Sequence, residues 1–370
     1  MSAWYRNAGV LMVLLSVANR SDSQASPPMR TASLAQTIRD DQDGADFVFG
    51  RISGLVVAKT GQMFVMDAGE CDIKSFDARG KYQRGFGRAG GGPGELSCPG
   101  TDLSVDDSLI VATDVQQRRV SRFTMSGRFL ETSKLAGNTS PTVMERSYAL
   151  RNGTRLGVTG ARIGTGASSF SNTLVMYDAA GKPDTLASIR SDMVLVMFPT
   201  GLGGPTTAGF GAGGAWALHR DSVVAVADGY AGVVRWLDVS RGPARVVRTE
   251  RMTTAARPVT RADLAAMEAR LRRAAPPQSQ IRRPDATFVD APTQWSVATR
   301  AVFGADGTLY VAGSKGLGLN TEWTVFPVTG ASFRIRLPSA FYLASAQGNR
   351  LYGWAASTDG TPVVQVYEVR

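Results

Sequence analysis

Two stretches of the chain repeat one order of apolar, polar and glycine positions. Phe64-Val65-Met66-Asp67 is followed by Ile73, Phe76, Gly80 and Tyr82, and Ile110-Val111-Ala112-Thr113-Asp114 by Val120, Phe123, Gly127 and Phe129. The offset that carries Asp67 onto Asp114 carries each later member onto its counterpart, which is the signature of an internal repeat. Each unit reads as an apolar strand, a short turn, a strand ending in Asp, a polar loop, a strand ending in an aromatic, a glycine turn and a fourth strand. Four antiparallel strands in that order, A to D from the axis outwards, make one blade of a β-propeller.

Two markers extend the pattern along the chain. The turn between strands A and B falls at Thr60-Gly61, Asp106-Asp107, Asn152-Gly153, Arg220-Asp221, Asp306-Gly307 and Gly348-Asn349, which makes six hairpins. The turn between strands C and D is an aromatic followed by Gly at Phe76/Gly80, Phe123/Gly127, Tyr177/Gly181 and Phe326/Gly330, with Trp236 and Gly242 as a looser version. Glycine suits these turns because residues with a Cβ resist the backbone angles required. The predicted fold is all-β, a six-bladed propeller of four-stranded antiparallel blades.

The chain stops at Arg370, just after the strand Val363 to Val369, so the last blade lacks a fourth strand of its own. An open edge exposes unpaired backbone groups. Ala32 to Ile38 precedes the first hairpin and belongs to no other blade, and it is predicted to supply the missing strand and close the ring. Between the fourth and fifth blades, Thr260 with Asp263 has the form of a helix N-cap, and Leu264, Met267 and Leu271 follow at helical spacing until Pro276-Pro277. A helical insertion over residues 260–275 is expected, either a packing element over a long connection or a lid.

Composition agrees with this picture. The chain has 370 residues, 43% hydrophobic and 19% charged, with 41 glycines and 8% aromatics, a balance of globular, turn-rich β-structure. Arg6, the apolar run Ala8 to Val17 and polar Asn19 to Asp22 stand in the order of a secretory signal peptide. The run is too short for a transmembrane helix, which needs about 20 apolar residues. Residues 1–25 are therefore expected to be removed, with cleavage after Ala18 or Ala25, leaving 26–46 as an N-terminal segment with the closing strand and 47–370 as the propeller. The expected location is secreted or periplasmic, without a membrane span after signal removal. In an oxidising compartment Cys71 and Cys98 can pair. Cys71 lies in the B–C loop of blade one and Cys98 in the connector leaving that blade, and those two places emerge at the same end of a blade. The net charge of +10 comes largely from arginines scattered along the chain, and no nucleic-acid partner is expected of an exported protein.

The segment Phe86-Gly87-Arg88-Ala89-Gly90-Gly91-Gly92-Pro93-Gly94-Glu95-Leu96 resembles the blade connector of NHL repeats, and Asp114 to Arg119 with Val120 and Phe123 resembles their loop-and-strand signature. The chain is similar to bacterial six-bladed propellers related to the NHL-repeat family from about Phe47 onward, most closely in its first two blades. Asp72 stands in blade one where blade two has Arg119, which breaks any uniform ring of arginines. Propellers of this kind include binding modules, lyases and hydrolases, so the resemblance implies a fold more than a function.

The candidate chemistry is sparse. Gly87 to Gly94 lacks the Lys-Ser/Thr ending and following helix of a P-loop, and it reads as a connector, as does Gly201 to Gly214. The single histidine, His219, abuts the Arg220-Asp221 turn at the A–B end. It reads as structural, and zinc or copper chemistry on clustered histidines finds no ligands. Asp67, Asp114 and Asp228 each end the second strand of a blade and would lie near one face, as ligand or cation contacts or as acceptors for their own loops. Arg118 and Arg119 in a B–C loop, Trp295 in a connector and Trp323 in another B–C loop are expected at the same face, and Arg and Trp are enriched in binding hot spots. The first reading is a monomeric, non-enzymatic module without a cofactor that binds a protein, peptide or glycan on the face of B–C loops and connectors. The alternative is a calcium-dependent hydrolase of the lactonase type with carboxylates at the central channel.

Overall fold

The computed structural model describes residues 26–40, 47–98, 100–106, 108–114, 116–134, 144–149, 154–162, 170–178, 180–190, 193–197, 203–207, 213–220, 222–241, 243–252, 254, 256–274, 287–288, 292–314 and 320–370. The expected signal peptide, Asp107, Asn152-Gly153, Gly201, Asp221, Gly242 and Pro276-Pro277 lie outside the described residues.

Strand β1 (Ala32–Ile38) comes first in the chain. Blade one is β2 (Ile52–Val57), β3 (Met63–Asp67), β4 (Asp72–Phe76) and β5 (Tyr82–Phe86), and blade two is β6 (Thr101–Asp106), β7 (Leu109–Asp114), β8 (Arg119–Thr124) and β9 (Phe129–Lys134). Blade three is β10 (Met144–Ala149), β11 (Arg155–Arg162), β12 (Phe170–Tyr177) and β13 (Pro183–Arg190). Strands β14 (Met193–Met197) and β15 (Gly203–Thr207) precede blade four, which is β16 (Gly214–His219), β17 (Val223–Asp228), β18 (Val233–Asp238) and β19 (Arg245–Arg251). Helix α1 (Arg261–Ala274) and strand β20 (Thr287–Phe288) lead to blade five, β21 (Arg300–Phe303), β22 (Leu309–Ala312), β23 (Asn320–Phe326) and β24 (Phe333–Pro338). Blade six is β25 (Tyr342–Gln347), β26 (Arg350–Ala356) and β27 (Pro362–Val369), with β1 outermost beside β27. Every blade pairs antiparallel in simple succession, so the protein is a six-bladed β-propeller closed by its N-terminal strand.

Closure is set by side chains as well as backbone. Strand β1 pairs with β27 from Ala32 opposite Val369 to Ile38 opposite Val364. Ile38 is buried and joins Val364, Val366 and Tyr352 of blade six to Ile52, Leu55, Met63 and Phe76 of blade one in a single apolar seam. Similar seams lie between blades one and two, three and four, four and five, and five and six. The core is thus distributed around the ring between neighbouring blades. The outer strands meet the edge problem with bulges: β1, β5, β9, β13 and β19 each shift register against their partners. A bulge twists an edge and spoils it as a template for a second chain.

Two excursions modify the ring, and one was not foreseen. The Gly203 to Thr207 part of the expected glycine-rich connector is an edge strand, β15, in a three-stranded sheet ordered β15-β14-β20. An edge position accommodates Pro205, which has no N–H to donate. The first excursion leaves and returns at one point, since Gly213 N–H donates to Arg190 O at 2.7 Å. The second contains the predicted helix, where Thr260 Oγ1 accepts from Asp263 N–H at 3.2 Å and Asp263 accepts from Thr260 N–H at 2.9 Å, a reciprocal cap. Met267 on this helix is fully buried. The ends of both excursions are tied to the B–C loop of blade four, because Gly229 donates to Gly213 O and Val297 donates to Gly229 O, each at 2.8 Å. A Cβ at Gly229 would meet Ala298 O at 2.8 Å, so only glycine permits this approach. The small sheet therefore belongs to the connector face, beside blade four. No helix among the described residues is long and apolar enough to cross a membrane.

Candidate binding site on the connector face

The three aspartates that end second strands share one local design. Asp67 is fully buried and accepts from the backbone N–H groups of Gly50, Arg51 and Gly69 at 2.8 to 2.9 Å, and from Lys74 Nζ at 3.1 Å. Asp114 accepts from Ser97 N–H at 3.2 Å and Gln117 N–H at 2.9 Å, and from the Ser97 hydroxyl. Asp228 accepts from Tyr230 and Ala231 N–H at 2.9 and 2.8 Å. Four residues after each, the chain takes a left-handed conformation: Cys71 at φ 57°, Arg118 at φ 54° and Gly232 at φ 64°. The carboxylates are the acceptors around which the B–C loops fold. Burial on its own raises the Asp67 pKa, but hydrogen bonds from Arg51, Gly50 and Lys74 outweigh it and hold the carboxyl below its usual range.

The exchange of Arg119 for Asp72 between the two blades now has a physical account. In blade two the Arg119 guanidinium lies 3.5 Å from Asp114 and donates to the carbonyls of Gly90, Gly91, Gly92 and Glu95. The glycine-rich connector turns its carbonyls, not its N–H groups, towards the centre of the loop, the reverse of a phosphate cradle. In blade one Lys74, two residues further along β4, supplies the cation to Asp67 and also bonds Asp72 at 2.5 Å. The loop thus keeps an acid–base pair while the residues that provide it change. Cys71 and Cys98 are disulfide-bonded, with Cα atoms 5.7 Å apart, which ties the blade-one B–C loop to the outgoing connector.

Among the remaining predicted residues, Arg118 is exposed on its loop. Trp295 is buried instead of facing solvent: its Nε1 donates to Asp263 at 3.4 Å and Arg257 lies over its ring at 4.9 Å, so it anchors the helical excursion. Trp323 lies inside strand β23 opposite Ala312, not in a B–C loop, and is buried in the seam between blades five and six. Burial removes both indoles from the solvent-facing set. His219 closes strand β16 at the opposite, A–B end, with its ring 5.2 Å from that of Phe303. Burial lowers its pKa against a hydrogen bond with the Ala305 backbone, so the ring is neutral at pH 7.

Sequence reasoning foresaw a central channel but not its lining, which it expected to carry carboxylates. A cavity of about 970 Å³ runs along the innermost strands, from first residues such as Gly214, Arg300 and Tyr342 to the A–B end at Lys59, Arg220 and Ala305. At its connector end Arg300 opens β21, Tyr342 opens β25, and Trp354 stands opposite Tyr342 on β26. The Arg300 guanidinium lies 3.1 Å from the Tyr342 ring centroid, and Tyr342 stacks on Trp354 at 4.1 Å and 27°. All three are half-buried. They form a layered cation–aromatic platform, fixed in part by a hydrogen bond from Arg300 to Leu343 O. The only carboxylate lining the cavity among the described residues is Asp102, and among those residues no three His, Cys, Asp or Glu side chains are placed to hold a metal ion.

Comparison with known proteins bears on the fold. A family described as 6-bladed beta-propeller matches residues 44–150. No curated protein matches the chain. Among solved structures, a candidate exported protein of Bacteroides fragilis superposes with a TM-score of 0.51 at 11% identity, covering 92% of this chain and 95% of the other. A member of the DUF4221 family from Bacteroides vulgatus gives 0.46 at 9% identity over 92% and 98%. The calcium-binding protein regucalcin of Agrobacterium tumefaciens gives 0.42 at 11% identity over 92% and 96%. At such identities the likeness is one of fold alone.

Proposed function

We propose that the protein is an exported, NHL-related propeller that acts as a non-catalytic binding module, recognising a protein, peptide or glycan on the face of B–C loops and connectors. The observation that carries this reading is the half-buried platform of Arg300, Tyr342 and Trp354 at the connector end of the channel. Concave sites with aromatic walls and a few polar groups are where ligands bind. The B–C aspartates are engaged by their own loops, which leaves them little capacity for an ion and weighs against the calcium-dependent hydrolase.

Screening purified protein against peptide and oligosaccharide arrays tests the reading. The expected result is a ligand held by the wild type, unaffected by chelator, and lost in a folded Trp354→Ala variant. The reading falls if no array member binds, or if every ligand survives that substitution. Export is tested separately by N-terminal sequencing of secreted protein, which should begin at Asn19 or Ser26.

A further inference from the structure

The charge and backbone of the channel narrow the ligand class, on the premise that the connector-face reading above is right. Among the described residues, Lys59, Arg122, Arg220 and Arg300 line the cavity against one lining carboxylate, Asp102. Arg122 is partly neutralised by Glu131 at 2.9 Å. Even with that pair set aside, the wall carries an excess of positive charge. Guanidinium groups match carboxylate and sulfate geometry, and a partly desolvated site strengthens such contacts.

The backbone contributes a second preference. Strands β2, β6, β16, β21 and β25 each stand at the end of their sheet, so among the described residues their inner edges have no partner strand. Apart from local contacts such as the bridge between Gly304 and Ala346, the wall therefore offers N–H donors and C=O acceptors in alternation. A hydroxyl both donates and accepts, and it can meet either group. The third element is the layer of Arg300, Tyr342 and Trp354, in which the Tyr342 ring contacts both the guanidinium and the indole, and the Trp354 indole lines the cavity. We infer that the channel binds an acidic saccharide, with a sugar ring against the aromatic platform, its carboxylate or sulfate towards Arg300 and its hydroxyls on the strand edges. An acidic peptide shares the charge but carries far fewer hydroxyls.

The test is an array holding uronate-, sialate- and sulfate-bearing oligosaccharides, their neutral counterparts and acidic peptides, followed by calorimetry on the tightest acidic glycan and its carboxyl-reduced or desulfated form. Acidic glycans should bind, and the neutralised form should bind at least tenfold more weakly. Arg300→Gln, checked for fold by thermal unfolding, should weaken binding at least tenfold. Arg245→Gln, on exposed β19, removes the same charge far from the channel and should stay within twofold. Equal binding of acidic and neutral forms, equal losses in Arg300→Gln and Arg245→Gln, or preference for acidic peptides would overturn the inference and leave the binding-module reading standing. An array with no ligand at all removes both.

Discussion

Replacing Ile38 by alanine tests whether the N-terminal strand closes the ring through its side chains. Ile38 is 4% exposed, pairs with Val364 and enters the seam shared by blades six and one. Truncating a buried Ile to Ala costs about 2–5 kcal/mol through lost transfer energy and the cavity left behind. The seam lies at the end of a strand, where neighbours can partly collapse, so roughly 3 kcal/mol is the expected loss. For a chain of this size each kcal/mol lowers the melting temperature by about 2 °C, which predicts a fall of roughly 6 °C. Leu34, on the same strand but 50% exposed, is the internal control. Leu34→Ala should change stability by less than about 0.5 kcal/mol. Thermal and urea unfolding of both variants decide the matter. If Ile38→Ala melts with the wild type, or if the two variants lose equally, β1 does not close the ring as argued.

Other outcomes follow from the B–C loops. Arg118→Gly should stabilise the protein by about 1 kcal/mol, since a left-handed residue with a Cβ carries a penalty of roughly 1–2 kcal/mol; urea unfolding measures it, and a loss of stability would mean that the Arg118 side chain contributes more than its backbone costs. Removing the Cys71–Cys98 bridge in a Cys71→Ser/Cys98→Ser variant should cost about 3 kcal/mol for a loop of 27 residues, and the intact mass of wild-type protein purified and alkylated without reductant should show no alkylated thiol. Asp67 has a lowered pKa in the fold, so its contribution is full above the unfolded value of about 3.9 and is lost as pH falls through the folded value. The melting-temperature gap between wild type and Asp67→Asn should therefore be constant from neutral pH down to about 5 and narrow below about 4; a gap that widens on acidification refutes the assignment.

The ring was legible in the sequence because its determinants are local. Phe76/Gly80 and Phe123/Gly127 announce C–D turns within a few residues, and the Thr260–Asp263 cap announces a helix. The closing strand was legible by elimination, as the last blade lacked a partner. The small sheet was not, because β14 meets β20 across the whole of blade four and Gly203 to Thr207 has the composition of a loop. Trp323 was misplaced for a related reason. Strand β23 already begins at Asn320, so the indole falls on a buried position inside the strand. The platform of Arg300, Tyr342 and Trp354 comes from three strands of two blades, a juxtaposition that no spacing encodes.

What the repeat preserves and what it varies separate structure from recognition. The B–C loops keep an acceptor at one position and a left-handed residue four later while the residues around them change, as Lys74 and Arg119 do. Positions held to one geometry in several blades are constrained by the loop, and a ligand gains little specificity from them. The first residues of the innermost strands behave differently. Ile52, Thr101 and Gly214 open blades one, two and four, whereas Arg300 and Tyr342 open blades five and six. Of these, Gly214, Arg300 and Tyr342 line the cavity, while Ile52 is buried in the seam between blades six and one, and blades one and two line the mouth with Ser53 and Asp102. The guanidinium and aromatic groups thus stand side by side on blades five and six and offer a ligand one side on which to bind. The asymmetry of the channel mouth therefore predicts where a ligand sits: against blades five and six. Substitutions at Thr101 or Ile52 to residues of similar size should leave affinity within twofold, while those at Tyr342 should not.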